Sequence, residues 1–178
     1  TADYARIVQF FWLNDERIGF YKQPTRGLDA YDLWAIDIDG KNLKKLVPGK
    51  WEDGYATGAS VSFLMDDDPD HVLIEYNKRR PKYTDIYKLN IYSGRLTTLA
   101  IDPVLGNNTL MGWAIDQQGN VRGYMAMDGL KYKLYHRNDV NKDFELLREF
   151  TYQEAMFMPQ TYDSVSYTHL RAHETATY

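Results

Sequence analysis

The feature that most constrains this chain is a block of about 45 residues written twice at a fixed spacing. Asp85-Ile86-Tyr87-Lys88-Leu89-Asn90-Ile91 repeats Asp32-Leu33-Trp34-Ala35-Ile36-Asp37-Ile38 at an offset of 53. The next segment keeps that offset, with Leu43 and Leu46 matched by Leu96 and Leu99 across the turns Asp39-Gly40 and Ser93-Gly94. Upstream, 71–76 follows the wording of 17–21. A third, weaker copy runs through 109–116, 121–127, 131–135 and 144–150, with Tyr132 and Leu134 in the places of Tyr87 and Leu89. Within each copy the apolar residues alternate, which is the period of a strand, and no 3.6-residue stripe of any length competes with it. Aromatic and β-branched runs at 5–13, 17–23 and 31–37, separated by Asn14-Asp15-Glu16 and by 24–29, read as strands. Asp39-Gly40 closes a hairpin into 43–47, which Pro48-Gly49 ends.

Four strands in a period near 50 is the signature of β-propeller blades. The expected fold class is therefore all-β: a partial β-propeller of about three four-stranded antiparallel blades plus the start of a fourth. The expected domain is 1–163, with blades at about 4–50, 58–102 and 108–151 and the next one opening at 153–163. Propellers close with four to eight blades, so an arc of three leaves apolar surface bare on its first and last members.

Residues 164–178 break this pattern. Val165-Ser166-Tyr167-Thr168-His169-Leu170-Arg171-Ala172-His173-Glu174-Thr175 reads as a translated sequencing adapter, a non-native tail. His169 and His173 stand at i and i+4, as zinc ligands on a helix do, but they lack the interleaved glutamate of HExxH and a third ligand. The start, Thr1-Ala2-Asp3-Tyr4, has neither an initiating Met nor a charged-then-apolar leader, which suggests a reading frame that begins further upstream.

Composition narrows the partners. With 21 basic and 25 acidic side chains in 178 residues, the net charge of −4 supplies no chain-wide attraction for phosphate backbones. No run of 18 apolar residues exists to span a bilayer. Nucleic acid and membrane are therefore not the expected partners. Zero Cys removes disulfides, thiolate zinc sites and a cysteine nucleophile, and leaves the compartment open between cytoplasm and periplasm.

The candidate chemistry is sparse. Nucleophilic hydrolysis needs a serine on a strand-to-helix elbow with a histidine and an acid nearby. The nearest wording, Gly58-Ala59-Ser60-Val61-Ser62, lacks the second glycine and opens a strand. His71 and His136, the two histidines outside the tail, both fall inside strands. Asp66-Asp67-Asp68-Pro69-Asp70 has the carboxylate density of a Ca²⁺ site, yet also suits a solvated turn. Asp37-Ile38-Asp39-Gly40-Lys41-Asn42 opens like a calcium loop, but Pro48 stands where the bidentate glutamate belongs. Lys78-Arg79-Arg80-Pro81-Lys82 could hold an acidic peptide terminus or a phosphate, or serve as a polar connection. Trp12, Trp34, Trp51 and Trp113 could stack bases or sugars. The recurrence of Trp34 as Tyr87 and Tyr132 favours packing between blades. No catalytic, cofactor-binding or metal residue is assigned.

The repeated D-[LI]-[WY]-x-[IL]-[DN]-I followed by a Gly-containing turn resembles the propeller blades of the prolyl oligopeptidase family of serine peptidases. The long first strand, Ala5-Arg6-Ile7-Val8-Gln9-Phe10-Phe11-Trp12, and Phe157-Met158-Pro159 look most like its dipeptidyl and acylaminoacyl peptidase branch. The resemblance covers about 4–163 and is shared in part with TolB-like propellers. It implies a two-domain parent whose propeller precedes a C-terminal α/β-hydrolase domain carrying the Ser, Asp and His. None of those motifs is present here, so no catalytic residue carries over. The implied role is a steric filter that admits short peptide substrates to the hydrolase. The alternative is a TolB-like protein-binding propeller without activity. A freestanding enzyme with a metal or carboxylate site rests on 66–70 alone.

Overall fold

A computed structural model describes residues 6–23, 29–103 and 108–151. Every regular element in them is a strand, and the chain forms two compact units, Thr1–Asp102 and Pro103–Tyr178. The all-β reading with four strands per repeat is what the structure shows. The expected fourth blade at 153–163, Phe157-Met158-Pro159 and the tail with His169 and His173 lie outside the described residues.

In the first unit, β1 (Arg6–Asn14), β2 (Arg17–Gln23), β3 (Asp32–Asp37) and β4 (Lys44–Val47) form one antiparallel sheet in sequence order. The short hairpin β5 (Lys50–Glu52) and β6 (Tyr55–Thr57) follows, then a second meander of β7 (Ala59–Leu64), β8 (His71–Arg80), β9 (Tyr83–Asn90) and β10 (Leu96–Ala100). A meander needs only tight turns, and the sequence supplies them. Asn14 Oδ1 accepts the Glu16 N–H at 3.0 Å in the first turn. Gly40 and Gly94 take φ of +81° and +75° at the repeated β3–β4 and β9–β10 turns.

The odd-numbered face of the first sheet packs on the even-numbered side of β8. Leu13, Leu33, Ala35 and Val47 share one core with Val72, Ile74, Tyr76, Tyr87, Leu89 and Ile91. Burying side chains of this kind is worth about 1.5–3 kcal/mol apiece. Three polar ties cross the same seam. Val61 N donates to Tyr21 Oη at 2.8 Å, Arg17 Nε to the Ile91 carbonyl at 2.9 Å, and Asn14 Nδ2 to the Pro69 carbonyl at 3.0 Å. Arg17 is fully buried, yet Asp37 and the Asn42 carbonyl satisfy the rest of its guanidinium, so its charge is compensated.

The two faces of the repeat are not equally covered. Cross-strand rows Ile74–Tyr87 and Val72–Leu89 of the second sheet are buried against the first. Their counterparts, Phe10–Phe20–Trp34 and Trp12–Ile18–Ile36, line the opposite face of the first sheet, where Phe10 is 76% and Trp12 58% exposed.

The second unit is a further meander, β11 (Thr109–Ile115), β12 (Val121–Asp128), β13 (Lys131–His136) and β14 (Glu145–Thr151). One of its faces gathers Tyr124 and Ala126 with Trp113, Tyr135 and Phe144; the other gathers Met125, Leu134 and Phe150 with Tyr132. Asp116 and Arg122 pair at 2.7 Å beside its first turn, where Asp116 Oδ1 also accepts the Gln118 and Asn120 amides.

Two details depart from the sequence reading. The β5–β6 hairpin was not anticipated; Asp53 and Gly54, with φ of +52° and +79°, make its two-residue turn. The polar connection expected between Asn77 and Thr84 is instead mostly strand: β8 continues through Lys78, Arg79 and Arg80, past a bulge, to a turn at Pro81-Lys82.

Candidate functional site

Each meander sends alternate turns to opposite ends of its sheet. One end of the first unit carries the β1–β2, β3–β4, β7–β8 and β9–β10 turns; the other carries the β8–β9 turn and the β5–β6 hairpin. The candidate residues divide between these ends, and this division decides what they can do together.

At the first end, the aspartate turn is already occupied. Asp68 Oδ1 lies 2.8 Å from His71 Nδ1 and Oδ2 lies 2.5 Å from Lys88 Nζ. The Lys88 hydrogen bond, then that of His71, holds the Asp68 carboxyl below its usual range against the opposing effect of burial. A carboxylate already hydrogen-bonded to a lysine and a histidine is a poor calcium ligand. Asp37 is likewise committed to Arg17 and accepts from Asn42 Nδ2 at 2.6 Å, while Asp39 pairs with Lys41 at 2.8 Å. Among the described residues no group of three or more His, Asp or Glu side chains is arranged to hold a metal ion.

Ser60 and His71 do not meet. Ser60 pairs with Glu75 across β7 and β8, four positions along the strand from His71. Four residues of strand span about 13 Å. Ser60 sits in a regular strand rather than on an elbow, and His136 ends β13 in the other unit. The serine and histidine lack the hydrogen-bonded geometry of nucleophilic catalysis.

The first unit holds a cavity of about 510 Å³ between the openings of β1 and β7, lined by Gln9, Tyr21, Tyr31, Ser60, Glu75 and Asn77 among others. Burial pushes the Glu75 carboxyl up, and burial likewise raises the Tyr21 phenol, partly offset by the Val61 amide. Its described lining contains carboxylates at Asp29 and Glu75 but no lysine, arginine or histidine. Such a cavity can hold a ligand that donates hydrogen bonds; its described lining contains no histidine to activate Ser60.

Near the same end, Asp85 is fully buried. Burial raises its carboxyl, but Arg79, the Asp102 amide and the Tyr87 hydroxyl together outweigh burial, leaving it below its ordinary value. Arg79 is therefore a structural partner, bound through Nη2 and Nε at 2.9 and 3.2 Å, and leaves the basic run of 78–82 with three other cations. Of the tryptophans, Trp113 packs edge-on to Tyr124 and Trp34 stacks on Phe20 at 6.4 Å. Trp12 and Trp51 are exposed. Sequence reasoning missed Glu75 and the hairpin that presents Trp51; the Asp53-Gly54 dipeptide between Trp51 and Tyr55 was the available signal for the latter.

The chain is similar to dipeptidyl aminopeptidase BIII of Pseudoxanthomonas mexicana, with 30% identity over 100 residues. That match takes in 56% of this chain and 14% of the relative's length. No family model matches the chain, and no solved structure matches it significantly.

Proposed function

We propose that the chain is the propeller portion of a serine peptidase of the prolyl oligopeptidase family, acting on short peptides in its complete form. In this reading 1–163 is an arc of blades at about 4–50, 58–102 and 108–151, with the start of the next at 153–163. A C-terminal α/β-hydrolase domain supplies the nucleophile, and the propeller filters access to it. The observation that carries the reading is the 30% identity over 100 residues to a dipeptidyl aminopeptidase, in a chain whose repeats fold as four-stranded antiparallel meanders. The separation of Ser60 from His71 supports placing catalysis outside these residues. A cavity between two domains admits an extended peptide and rejects a folded protein on size alone, so a propeller can confer selectivity without reacting groups of its own.

The test has two arms. The 178-residue chain, incubated with dipeptidyl and aminoacyl nitroanilides, should release nitroaniline no faster than buffer. The protein encoded by the uninterrupted reading frame should cleave them and be labelled by a fluorophosphonate probe. A complete protein that neither reacts with the probe nor turns over the substrates overturns the proposal in favour of a binding propeller without activity.

A further inference from the structure

At the end of the first unit opposite the aspartate turn, two hairpins are locked side by side. Asn77 is the tie: its Nδ2 donates to the Ala56 carbonyl at 2.9 Å and to the Pro81 carbonyl at 3.0 Å, while its Oδ1 accepts the Gly58 N–H at 2.8 Å. The β8–β9 turn and the β5–β6 hairpin are thereby held as one surface. Lys82 Nζ lies 5.9 Å from the centre of the Tyr55 ring, and Arg80 lies 5.9 Å from that of Tyr83. Tyr55 is 46% exposed and shares its face of the hairpin with Glu52, whereas Trp51 pairs with Ala56 on the other face.

Three cations of this surface have no ion-pair partner among the described residues. Arg79 is bound to Asp85, but among the described residues Lys78, Arg80 and Lys82 are exposed and form no ion pair. Elsewhere in the unit Arg17 pairs with Asp37, Lys41 with Asp39, Lys45 with Asp32 and Lys88 with Asp68. Three exposed cations thus stand beside the rings of Tyr55 and Tyr83, at the end opposite the four-aspartate turn. Cations over aromatic faces bind carboxylates while the rings bury adjacent apolar groups.

We propose that this surface docks an acidic peptide segment, one with several Asp or Glu side chains around an apolar residue. The cations meet the carboxylates, and Tyr55 with Tyr83 covers the apolar residue. A nucleic-acid strand is less well served. The chain's net charge is −4, Glu52 and Asp53 interrupt the positive track, and strand binding relies on a longer groove neutralising successive phosphates. This inference does not depend on the peptidase reading.

The probe is a fluorescein-labelled peptide of eight glutamates around a central leucine, titrated with the 178-residue chain by anisotropy at low and at physiological salt. Binding should weaken as salt rises. The triple change Lys78→Glu, Arg80→Glu, Lys82→Glu should weaken it by about tenfold or more, and Tyr55→Ala by a smaller factor. Lys78→Arg with Lys82→Arg should leave it within about twofold. Should the triple variant fail to fold by circular dichroism, Lys82→Glu alone, which leaves the Asn77 bonds in place, should cost about threefold. Binding that is absent, that survives these charge reversals, or that is surpassed by a labelled oligothymidylate or an all-lysine peptide overturns the proposal.

Discussion

Asp32 and Asp85 stand 53 positions apart and do the same work: each accepts, through Oδ1 at 2.8 Å, the backbone N–H of the residue 17 positions further on, Gly49 and Asp102. The carboxylate at the head of the third strand thus pins the chain as it leaves the fourth, closing the meander. The third copy lacks this clasp, because Leu130 occupies the position and is 85% exposed. Asp85 is also gripped by Arg79 and Tyr87, whereas Asp32 meets the half-exposed Lys45 at 2.7 Å. Asp85→Ala should therefore cost about 2–4 kcal/mol and Asp32→Ala about 1–2 kcal/mol. Urea unfolding of the two variants checks the order.

Gly49 is held by that clasp where no larger residue fits. A Cβ there would lie 2.4 Å from both the carbonyl carbon and the oxygen of Tyr31, backbone atoms that cannot rotate away. Gly49→Ala should destabilise the first unit by about 2 kcal/mol or more through this overlap. Gly40→Ala meets no neighbour and pays only for its positive φ, about 1 kcal/mol. Thermal melts of both variants discriminate packing from backbone strain.

Much of this was legible from residue order. The first four strands were expected at 5–13, 17–23, 31–37 and 43–47 and occur within a residue or so of those bounds, since each has one apolar face and a turn at either end. The offset of 53 announced that Asp32 and Asp85 are equivalent, but not why, because their donors are backbone amides that nearly every residue carries. Arg17 reads as a polar strand start and is instead fully buried, its Nε on the carbonyl of Ile91, 74 residues away. The strand character of Lys78 to Arg80 was hidden for a similar reason: cross-strand pairing, not propensity, extends β8. At the candidate site, the basic run was visible, and its neighbour Tyr55 on β6 was not.

Acid should act on the fold through Asp68 and Asp85. Both carboxyls titrate below their ordinary value of 3.8 in the folded chain. Folding then favours the ionised form, so their contribution is complete above that value and is lost as pH falls through the lower folded values. Urea midpoints should drop steeply below about pH 4, and Asp85→Asn should flatten that drop.

Glu75 has the opposite sign. Burial raises its carboxyl above 4.5, so folding favours the neutral form; its contribution is fully present below that value and is lost as pH rises through the folded one. Glu75→Gln should therefore raise the urea midpoint at neutral pH, with the gain disappearing on acidification below about pH 4.5. A variant equally stabilised at both ends of the range would show that packing, not charge, limits this position.

The uncovered face of the first sheet makes a last prediction. The rows through Phe20 and Trp34 occupy the repeat positions that Ile74 and Tyr87 fill in the second sheet, where the first sheet buries them. Phe10 at 76% and Trp12 at 58% exposure enlarge this into a contiguous aromatic face, of the kind that drives association. The 178-residue chain should self-associate in a concentration-dependent manner on light scattering. Phe10→Lys with Trp12→Glu should shift it toward monomer while changing the unfolding midpoint little, since neither ring contributes to the core. By contrast Val72→Ala, on the covered counterpart of this face, should cost about 1–3 kcal/mol and leave association unrelieved. A wild-type chain that is monodisperse and monomeric at high concentration would mean that this aromatic face is not sticky, and with it the equivalence of covered and uncovered faces would fail.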